Sequence, residues 1–341
     1  MWRVGIVGCG NIAKVHADVL KNMENVNIQA FVDCKPEKAV SYKEMYGNKD
    51  TSVYTSLKEM LEKEDLDVVH ICTPHYLHVP MALTALEYEK NVFMEKPPAI
   101  NRKSFVQLCE AEKRAGKSVG VCFQNRYNDS VMQILKETES GKLGKVKGAR
   151  AFVTWSRDFS YYKDSGWRGA KTTEGGGALI NQSIHTLDLL VQFLGKPLEA
   201  ESSAKNYHLK GVIDVEDTME AYIRFENAAA CFYATTAYVT DAPVLMDLEY
   251  ENGRIRMEET HLSIRYKDGI EKTYDFTKKP GIGKSYWGNS HGKCIEDYYQ
   301  CLQTGDVFRN SLSNVKDTFS LAMDLYESAE TGKPVICGKE V

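Results

Sequence analysis

Three polar side chains recur at helical spacing in the middle of the chain. Asn181, His185 and Asp188 stand at i, i+4 and i+7, so a predicted α-helix over 176–194 would place them on one face. A separate apolar stripe of the same helix would face the core, formed by Ile180, Ile184, Leu187, Val191 and Leu194. Histidine exchanges a proton near neutral pH, and stacked hydrogen-bonding groups suit a polyhydroxylated ligand. A proton-transfer or sugar-binding face is one interpretation, and a solvated helix face is the other.

Metal binding is a further reading of the same pattern. His185 and Asp188, three residues apart, are ligand types for a cation. No second cluster of His, Cys or Asp at ligand spacing accompanies them in the sequence. We therefore predict no metal site.

A glycine-rich turn near the start of the chain offers a second kind of chemistry. Gly8-Cys9-Gly10-Asn11-Ile12-Ala13 follows a predicted strand and opens a predicted helix, the context in which G-x-G-x-x-A binds a dinucleotide. Gly8 permits the tight turn, Gly10 allows the backbone to approach a pyrophosphate, and Ala13 keeps helix and strand close. Asn11 and Ile12 lie at the helix N-terminus, whose free N–H groups attract phosphates.

Asp33 ends the second predicted strand and points to the identity of the dinucleotide. A carboxylate there accepts hydrogen bonds from both hydroxyls of an adenosine ribose and repels a 2′-phosphate. The position favours NAD(H) over NADP(H), although the nearby Lys35 weakens that preference.

Two further predicted strands end in residues suited to the same crevice, because ligands of open α/β sheets bind beyond the carboxyl ends of strands. Thr73 and Pro74 follow one strand, and Glu95-Lys96-Pro97 follows another. Lys96, held between a strand end and two prolines, is the candidate for a functional lysine.

These residues require a particular arrangement of helices and strands. Apolar runs at 2–7, 26–32, 67–72, 92–94 and 119–123 alternate with helical periodicity, which predicts an α/β domain with a parallel, doubly wound sheet over residues 1–123. Residues 124–341 read as an α+β domain with a large, mostly antiparallel open sheet. Its predicted strands are 198–206, 216–226, 229–239, 244–250, 254–258, 261–266 and 271–275, after a long strand at 146–156.

Composition excludes several classes of protein. The chain has 341 residues and a net charge of −4, so no basic surface predicts binding to nucleic acid or an anionic membrane. No apolar run is long enough for a membrane span or a signal peptide. The 9 cysteines include no C-x-x-C pair, which favours a reducing, cytoplasmic compartment.

Together the motifs resemble those of the Gfo/Idh/MocA oxidoreductases, relatives of glucose–fructose oxidoreductase and inositol dehydrogenase. The resemblance covers nearly the whole chain. It rests on GCGNIA at 8–13, Thr73-Pro74, Glu95-Lys96-Pro97, Gln124-Asn-Arg126-Tyr127, Trp167-Arg168-Gly169 and the GGG…H..D block of 175–188. It implies an N-terminal Rossmann domain for NAD and a C-terminal domain for substrate and oligomerisation, with substrate held between them.

The resemblance also assigns roles to individual residues. Lys96 matches the lysine that contacts substrate and nicotinamide ribose, and His185 matches the catalytic histidine. Asp188 matches a residue that binds substrate hydroxyls. Further contacts are expected with cofactor from Thr73, Pro74, His78, Glu95 and Gln124, and with substrate from Arg126, Asn181, Tyr161, Trp167 and Arg168. Aromatic and cationic residues between 155 and 168 suit a sugar pocket, because sugar faces pack on rings and arginine binds anions.

Asn181 departs from the family pattern, in which many members have Asp four residues before the histidine. Asn can bind a hydroxyl but cannot stabilise an imidazolium by charge. The Asn-Gln-x-x-His version resembles the branch of sugar-nucleotide and glycoside 3-dehydrogenases, so we predict an enzyme that oxidises a ring hydroxyl of a sugar, at C3 of a pyranoside. The alternatives are an inositol or polyol dehydrogenase, an internal redox catalyst with tightly bound NAD, and a non-catalytic NAD sensor. The resemblance further implies a homodimer or homotetramer through the C-terminal sheet.

Overall fold

The structure is a computed structural model that describes residues 1–277 and 290–338. These residues form two compact units. The first comprises Met1–Gln124 and the described part of Pro280–Val315. The second comprises Asn125–Lys279 and Lys316–Val341, again as far as they are described.

The first unit is built on six parallel strands. Their spatial order is β3-β2-β1-β4-β5-β6, the order of a dinucleotide-binding Rossmann sheet. The strands are β1 (Trp2–Val7), β2 (Val26–Val32), β3 (Ser52–Tyr54), β4 (Val68–Ile71), β5 (Asn91–Glu95) and β6 (Val119–Cys122). All four residues of β4 and of β6 are buried. Continuous burial follows from helices covering both sheet faces, as the apolar runs predicted.

Five helices connect these strands. They are α1 (Ala13–Lys21), α2 (Pro36–Tyr46), α3 (Leu57–Lys63), α4 (His75–Glu87) and α5 (Arg102–Ala115). The sequence patterns did not reveal α2 or β3. Only Ala39 and Tyr42 of α2 are buried, so its apolar periodicity is weak, and β3 is a three-residue edge strand. Helix α4 begins at His75, directly after Pro74.

The second unit is built on nine strands, in the order β14-β13-β12-β11-β7-β10-β9-β8-β15. They are β7 (Val146–Thr154), β8 (Pro197–Lys205), β9 (Thr218–Phe225), β10 (Ala229–Thr235), β11 (Leu245–Tyr250), β12 (Gly253–Glu258), β13 (His261–Tyr266), β14 (Glu271–Asp275) and β15 (Val335–Ile336). Neighbouring strands run antiparallel except for β7 and β10, which pair in parallel. The prediction of a mostly antiparallel sheet is confirmed.

Burial alternates along several strands of this second sheet. In β9 the inward residues Met219, Ala221, Ile223 and Phe225 are buried, while Glu220, Tyr222 and Arg224 between them are exposed. Strand β13 shows the same period of two. One sheet face therefore packs against the helices of the unit and the other lies open.

The helices of the second unit include two short ones that were not predicted, and a π-helix where an α-helix was predicted. They are α6 (Asp129–Glu139), the two short helices α7 (Phe159–Lys163) and α8 (Lys171–Glu174), the π-helix (Ala178–Ser183) and α9 (Ile184–Leu194). The predicted continuous α-helix over 176–194 is wrong in its first half, because the π-helix changes the angular period before α9 begins. Asn181 therefore does not keep the α-helical phase with His185 and Asp188.

Two helices of the described residues lie between β14 and β15 in the chain, α10 (His291–Thr304) and α11 (Leu312–Thr331). Residues of α10 pack into the first unit: the Tyr298 hydroxyl donates to the carbonyl oxygens of Val92 and Ser118, both at 2.9 Å. The division predicted from chain order, 1–123 and 124–341, thus differs from the observed units because α10 belongs to the first. Among residues 1–277 and 290–338, no helix combines the length and apolar character needed to cross a membrane.

Candidate active site

The glycine turn lies between β1 and α1 in the first unit. Gly8 has φ +88°, a left-handed conformation that favours glycine, and a Cβ there would meet the Cys72 carbonyl oxygen at 2.7 Å. A Cβ at Gly10 would meet no atom within 4 Å. The open space beside Gly10, at the start of α1, is where a pyrophosphate would approach the backbone.

These two glycines allow a matched pair of substitutions. We expect Gly8→Ala to lower the free energy of unfolding by about 1–3 kcal/mol, because its Cβ overlaps the Cys72 backbone. Gly10→Ala should change that free energy by less than about 0.5 kcal/mol, since nothing surrounds its Cβ. Calorimetry should nevertheless show at least a roughly tenfold weaker Kd for NADH in Gly10→Ala, about 1.4 kcal/mol. Unchanged NADH affinity in Gly10→Ala would remove the turn from the cofactor site.

Asp33 lies directly beside the glycine turn. Its carboxylate accepts hydrogen bonds from the backbone N–H of Cys9 at 2.8 Å and of Lys35 at 2.9 Å. The side chain is half-buried, so these bonds fix its orientation while part of it stays accessible. This geometry fits a group that accepts bonds from ribose hydroxyls.

Thr73 and Pro74 lie where β4 passes into α4. The buried Thr73 hydroxyl makes no hydrogen bond to any described residue. Because buried hydroxyls are normally paired, a ligand group at this strand end would satisfy it. Pro74 precedes the first residue of α4.

His78, for which a direct contact with cofactor is predicted, lies between two backbone segments. Its ring is fully buried, with Nδ1 2.8 Å from the Pro97 carbonyl oxygen and Nε2 2.9 Å from that of Thr73. Burial lowers its pKa, and the two carbonyls oppose this. The His78 ring thus links the segment that follows β4 to the segment that follows β5 and holds both in position.

Glu95 is likewise turned inward, into a cluster that the sequence did not reveal. The Glu95 carboxylate lies 3.0 Å from His16 Nε2, His16 Nδ1 lies 3.0 Å from His70 Nδ1, and His70 Nε2 lies 2.9 Å from the Tyr299 hydroxyl. All four side chains are buried. The hydrogen bond between Glu95 and His16 fixes the end of β5, and the expected direct contact of Glu95 with cofactor stays a prediction.

The protonation states of this cluster follow from its geometry. Burial alone would lower the His16 pKa, but the surrounding cysteine and Glu95 groups hold it well above its ordinary value. Burial alone would raise the Glu95 pKa, but the hydrogen bond and charge of His16 hold it low. Burial and the charge of His16 lower the pKa of His70. A charged His16 thus donates to Glu95 and to neutral His70, which donates to Tyr299.

One group of potential metal ligands also lies here. The ligand atoms of His16, Glu95 and Cys122 lie within 4.8 Å of one another. A structural zinc site normally has four such ligands, and His16 and Glu95 already bond to each other. We interpret the group as a hydrogen-bonded ion pair.

Lys96 and Gln124 complete the candidate residues of the first unit. Lys96 is half-buried and follows β5 directly, joined to Pro97 by a cis peptide bond. Gln124 is 3% exposed, and its side-chain oxygen accepts a weak hydrogen bond from the Cys122 thiol at 3.9 Å. Of the two, Lys96 has the exposure that contact with a ligand requires.

In the second unit, Arg126 and Asp188 form a buried ion pair. Arg126 donates from Nε and Nη2 to the two carboxylate oxygens of Asp188, at 2.8 and 2.5 Å, and Thr318 donates to the same carboxylate at 2.7 Å. Arg126 is 1% exposed and Asp188 is fully buried. Their charged groups thus bind each other inside the unit, and the expected contact of these two side chains with substrate stays a prediction.

The predicted polar stripe is therefore divided. Asp188 faces Arg126, and Asn181, 9% exposed, donates its side-chain N–H to the carboxylate of Glu174. His185 is half-buried. It is the member of the stripe placed to meet a ligand.

Several predicted pocket residues between 155 and 168 lie close to Tyr161. The Tyr161 hydroxyl accepts a hydrogen bond from Gln182 at 2.7 Å, one helical turn before His185. The Arg168 guanidinium lies 4.6 Å from the Tyr161 ring centre and 4.7 Å from that of Trp167, within cation–π range. The predicted pocket residues Tyr161, Trp167 and Arg168 thus come together, and Gln182 joins them although its type alone had not marked it.

The fold and these residues define a protein class. A six-stranded Rossmann sheet, a glycine turn with open space beside it and a fixed carboxylate at the end of β2 fit an NAD-binding protein. The family model described as "Oxidoreductase family, NAD-binding Rossmann fold" matches residues 2–123, and the GFO/IDH/MocA C-terminal domain matches residues 131–258. The chain belongs to the Gfo/Idh/MocA family of NAD-dependent oxidoreductases.

Known proteins of this family resemble the chain along much of its length. D-glucoside 3-dehydrogenase of Escherichia coli K12 is 29% identical over 251 residues, 69% of this chain and 70% of the relative. Levoglucosan dehydrogenase, solved with NADH and levoglucosan, matches at TM-score 0.89 and 20% identity over 99% and 100% of the two chains. The WlbA dehydrogenase of Bordetella pertussis, solved with NADH and UDP-GlcNAcA, matches at TM-score 0.86 and 23% identity over 99% of each chain. These structural matches show a shared fold.

Proposed function

We propose that this protein is a dehydrogenase that oxidises a ring hydroxyl of a sugar or glycoside, at C3 of a pyranoside, with NAD as hydride acceptor. The observation that carries the proposal is the half-buried His185, three residues after the Gln182 that bonds to Tyr161, in a chain with an intact dinucleotide turn. A ring, an amide and an imidazole suit a polyhydroxylated ligand. The similarity to D-glucoside 3-dehydrogenase supports this substrate class.

Two residues carry the proposed proton chemistry. His185 takes the proton of the substrate hydroxyl as general base, and Lys96 polarises the same oxygen with its ammonium group. The roles exchange if Lys96 is the base. Bound nicotinamide supplies the hydride acceptor, while the chain positions the sugar and removes the proton.

The remaining predicted contacts follow the geometry. Tyr161, Trp167 and Arg168 form the sugar-binding surface, and Asn181 contributes one amide group. Gly10, Asn11, Ile12, Asp33, Thr73 and Pro74 hold the cofactor. His78, Glu95 and Gln124 hold the strand ends in position. The Arg126–Asp188 ion pair joins the segment before α6 to α9.

A substrate panel tests the proposal. Purified protein is mixed with NAD and, in turn, with alkyl glucosides, galactosides, free sugars and myo-inositol. The rate of NADH formation, followed by absorbance, should be highest with the pyranosides. Faster turnover of myo-inositol would favour a polyol dehydrogenase. Reduced nicotinamide that stays bound, without net release, would favour an internal redox catalyst. NADH binding with no redox change on any member would favour a sensor.

Asp33 should decide the cofactor preference. Replacing it with Ser removes the carboxylate that accepts ribose hydrogen bonds, so we expect the KM for NAD to rise roughly 10- to 100-fold, equivalent to about 1.5–3 kcal/mol. The same variant should use NADP better than the parent, since the repulsion of a 2′-phosphate is gone. Steady-state kinetics with both cofactors measures this. An unchanged ratio of kcat/KM for NAD and NADP would place Asp33 outside the ribose site.

We further propose a homodimer or homotetramer that buries the open face of the second sheet. Tyr222 is 57% exposed on that face, and Phe152, Cys231 and Tyr233 lie around the same concavity. Open apolar sheet faces are commonly covered by a symmetry mate. The nine free cysteines support a reducing, cytoplasmic setting.

A further inference from the structure

A buried carboxylate that the proposed reaction does not yet use lies beside Asn181. Glu174, the last residue of α8, is 1% exposed. Its carboxylate accepts one hydrogen bond from the backbone N–H of Gly169 at 2.5 Å and another from the side-chain amide of Asn181. A carboxylate is costly to bury unless donors compensate it, so the Asn181 amide stabilises Glu174 in this place.

Asn181 is held firmly in position by the π-helix around it. The carboxylate of Glu216 accepts hydrogen bonds from the backbone N–H groups of Gly177 and Leu179, both at 2.9 Å, and one from the Tyr326 hydroxyl at 2.9 Å. A Cβ at Gly177 would overlap the Glu216 backbone, so only glycine permits this approach. Because the N-terminus of the π-helix is anchored in this way, Asn181 stays within reach of Glu174.

The ionisation of Glu174 is balanced near neutrality. Burial raises the pKa of Glu174 to about 7, against the opposing effects of its two hydrogen-bond donors and of the Arg168 charge. The charged and titratable groups that face it from neighbouring elements are Arg168, Glu216, Tyr162 and Tyr326. Glu174 is therefore neutral below about pH 7 and a carboxylate above it.

The charge state of Glu174 decides how the Asn181 amide is oriented. An ionised carboxylate only accepts, so Asn181 must turn its NH₂ group toward Glu174 and its carbonyl oxygen away. A protonated Glu174 can instead donate to that oxygen, which favours the amide flipped by 180°. Glu174 thus selects whether Asn181 presents an acceptor or a donor on its other side.

We propose that Glu174 is a positioning residue of the reaction, which acts through Asn181 and supplies the negative charge that Asn181 itself lacks. The ionised carboxylate of Glu174 holds the Asn181 amide with the amide oxygen toward the sugar. That oxygen accepts a hydrogen bond from a substrate hydroxyl, one helical turn before His185. The inference rests on the proposed function, because it assigns a role within that same reaction.

Single substitutions of Glu174 test the inference. Glu174→Gln keeps the size of the side chain and its ability to accept from Asn181 but removes the charge. We expect kcat/KM for the best glycoside to fall roughly tenfold. Because protonation of Glu174 in the parent should cost about the same factor, the rising limb of log kcat/KM against pH should be steeper than a slope of one near pH 7 in the parent. In Glu174→Gln the limb should have a slope of about one, which is the ionisation of the general base alone. Glu174→Asp, which keeps a carboxylate, should retain the steeper limb at reduced kcat.

The double variant Glu174→Gln with Asn181→Asp moves the carboxylate to the other side of the pair. It should recover kcat/KM to within roughly threefold of the parent, a non-additive effect that a merely structural role would not produce. Glu137→Gln is the matched control: it removes another buried carboxylate of this unit, which bonds to Tyr266 and Lys272, and should leave the pH profile unchanged.

The outcomes separate the two proposals. An active parent enzyme whose rate and pH profile are unaltered by Glu174→Gln overturns the inference alone, as does a double variant no better than Glu174→Gln. A parent enzyme that binds NADH, but for which none of the sugars tested supports reduction of NAD, overturns the proposed function and the inference with it. If Glu174→Gln does not fold, judged by circular dichroism, the comparison of Glu174→Asp with the parent decides: loss of the steeper limb there also overturns the inference.

Discussion

Replacing Lys96 or His185 with Ala should reduce turnover of the best glycoside by about 10²–10⁴-fold, because each removes a group proposed to handle the hydroxyl proton. The Kd for NADH should stay within roughly threefold of the parent value. The glycine turn and Asp33 are the proposed cofactor-binding residues, and neither variant alters them. Steady-state kinetics and calorimetric titration with NADH give both quantities for the same preparations.

Two exposed residues of the same types serve as controls. Lys103→Ala lies on α5 and His261→Ala on β13, and both side chains are exposed, so turnover should be unchanged. Substantial turnover in both Lys96→Ala and His185→Ala would refute the catalytic assignment. The pH profile of whichever variant keeps measurable activity shows which of the two groups is the base.

Asp188→Ala should destabilise the protein by about 3–5 kcal/mol, because it leaves the Arg126 guanidinium buried without its carboxylate. Urea unfolding at fixed pH measures this loss. Replacing both partners, Arg126→Met with Asp188→Leu, should recover much of it, since well-packed apolar residues often substitute for a buried ion pair. Thr318→Val should cost only about 0.5–1.5 kcal/mol, the worth of one hydrogen bond.

This prediction also distinguishes two roles for Asp188. If the side chain bound substrate, Asp188→Ala would raise KM while the free energy of unfolding stayed within about 1 kcal/mol of the parent. The buried bidentate pair requires the opposite result. The sequence pattern suggested the first role, and the structure supports the second.

What the sequence could predict was local. Continuous apolar runs identified β1, β2, β4 and β6, and the glycine turn with Asp33 was recognisable because each group lies at a strand end. Alternating apolar and polar residues identified the antiparallel strands. Both signals depend on residues a few positions apart, where the period of the backbone fixes which side chains share a face.

The parts that escaped prediction depend on distant pairs. Arg126 meets Asp188 across 62 positions, and His70 meets Tyr299 across 229. No periodicity within either segment records such contacts. The π-helix was missed for a similar reason: Glu216, far along the chain, holds the backbone N–H groups of Gly177 and Leu179, and the apolar spacing still looks α-helical.

Isotope transfer tests the central claim most directly. Enzyme at a concentration equal to that of NAD is mixed with an alkyl glucoside that carries deuterium on its ring carbons. The reaction is stopped with alkali, in which reduced nicotinamide survives, and the nicotinamide is recovered for mass spectrometry. The account predicts one deuterium in the reduced nicotinamide within a single turnover, at a rate lowered about 10²–10⁴-fold in His185→Ala. Unlabelled nicotinamide after prolonged incubation, from protein that binds NADH, would contradict hydride transfer from a sugar carbon.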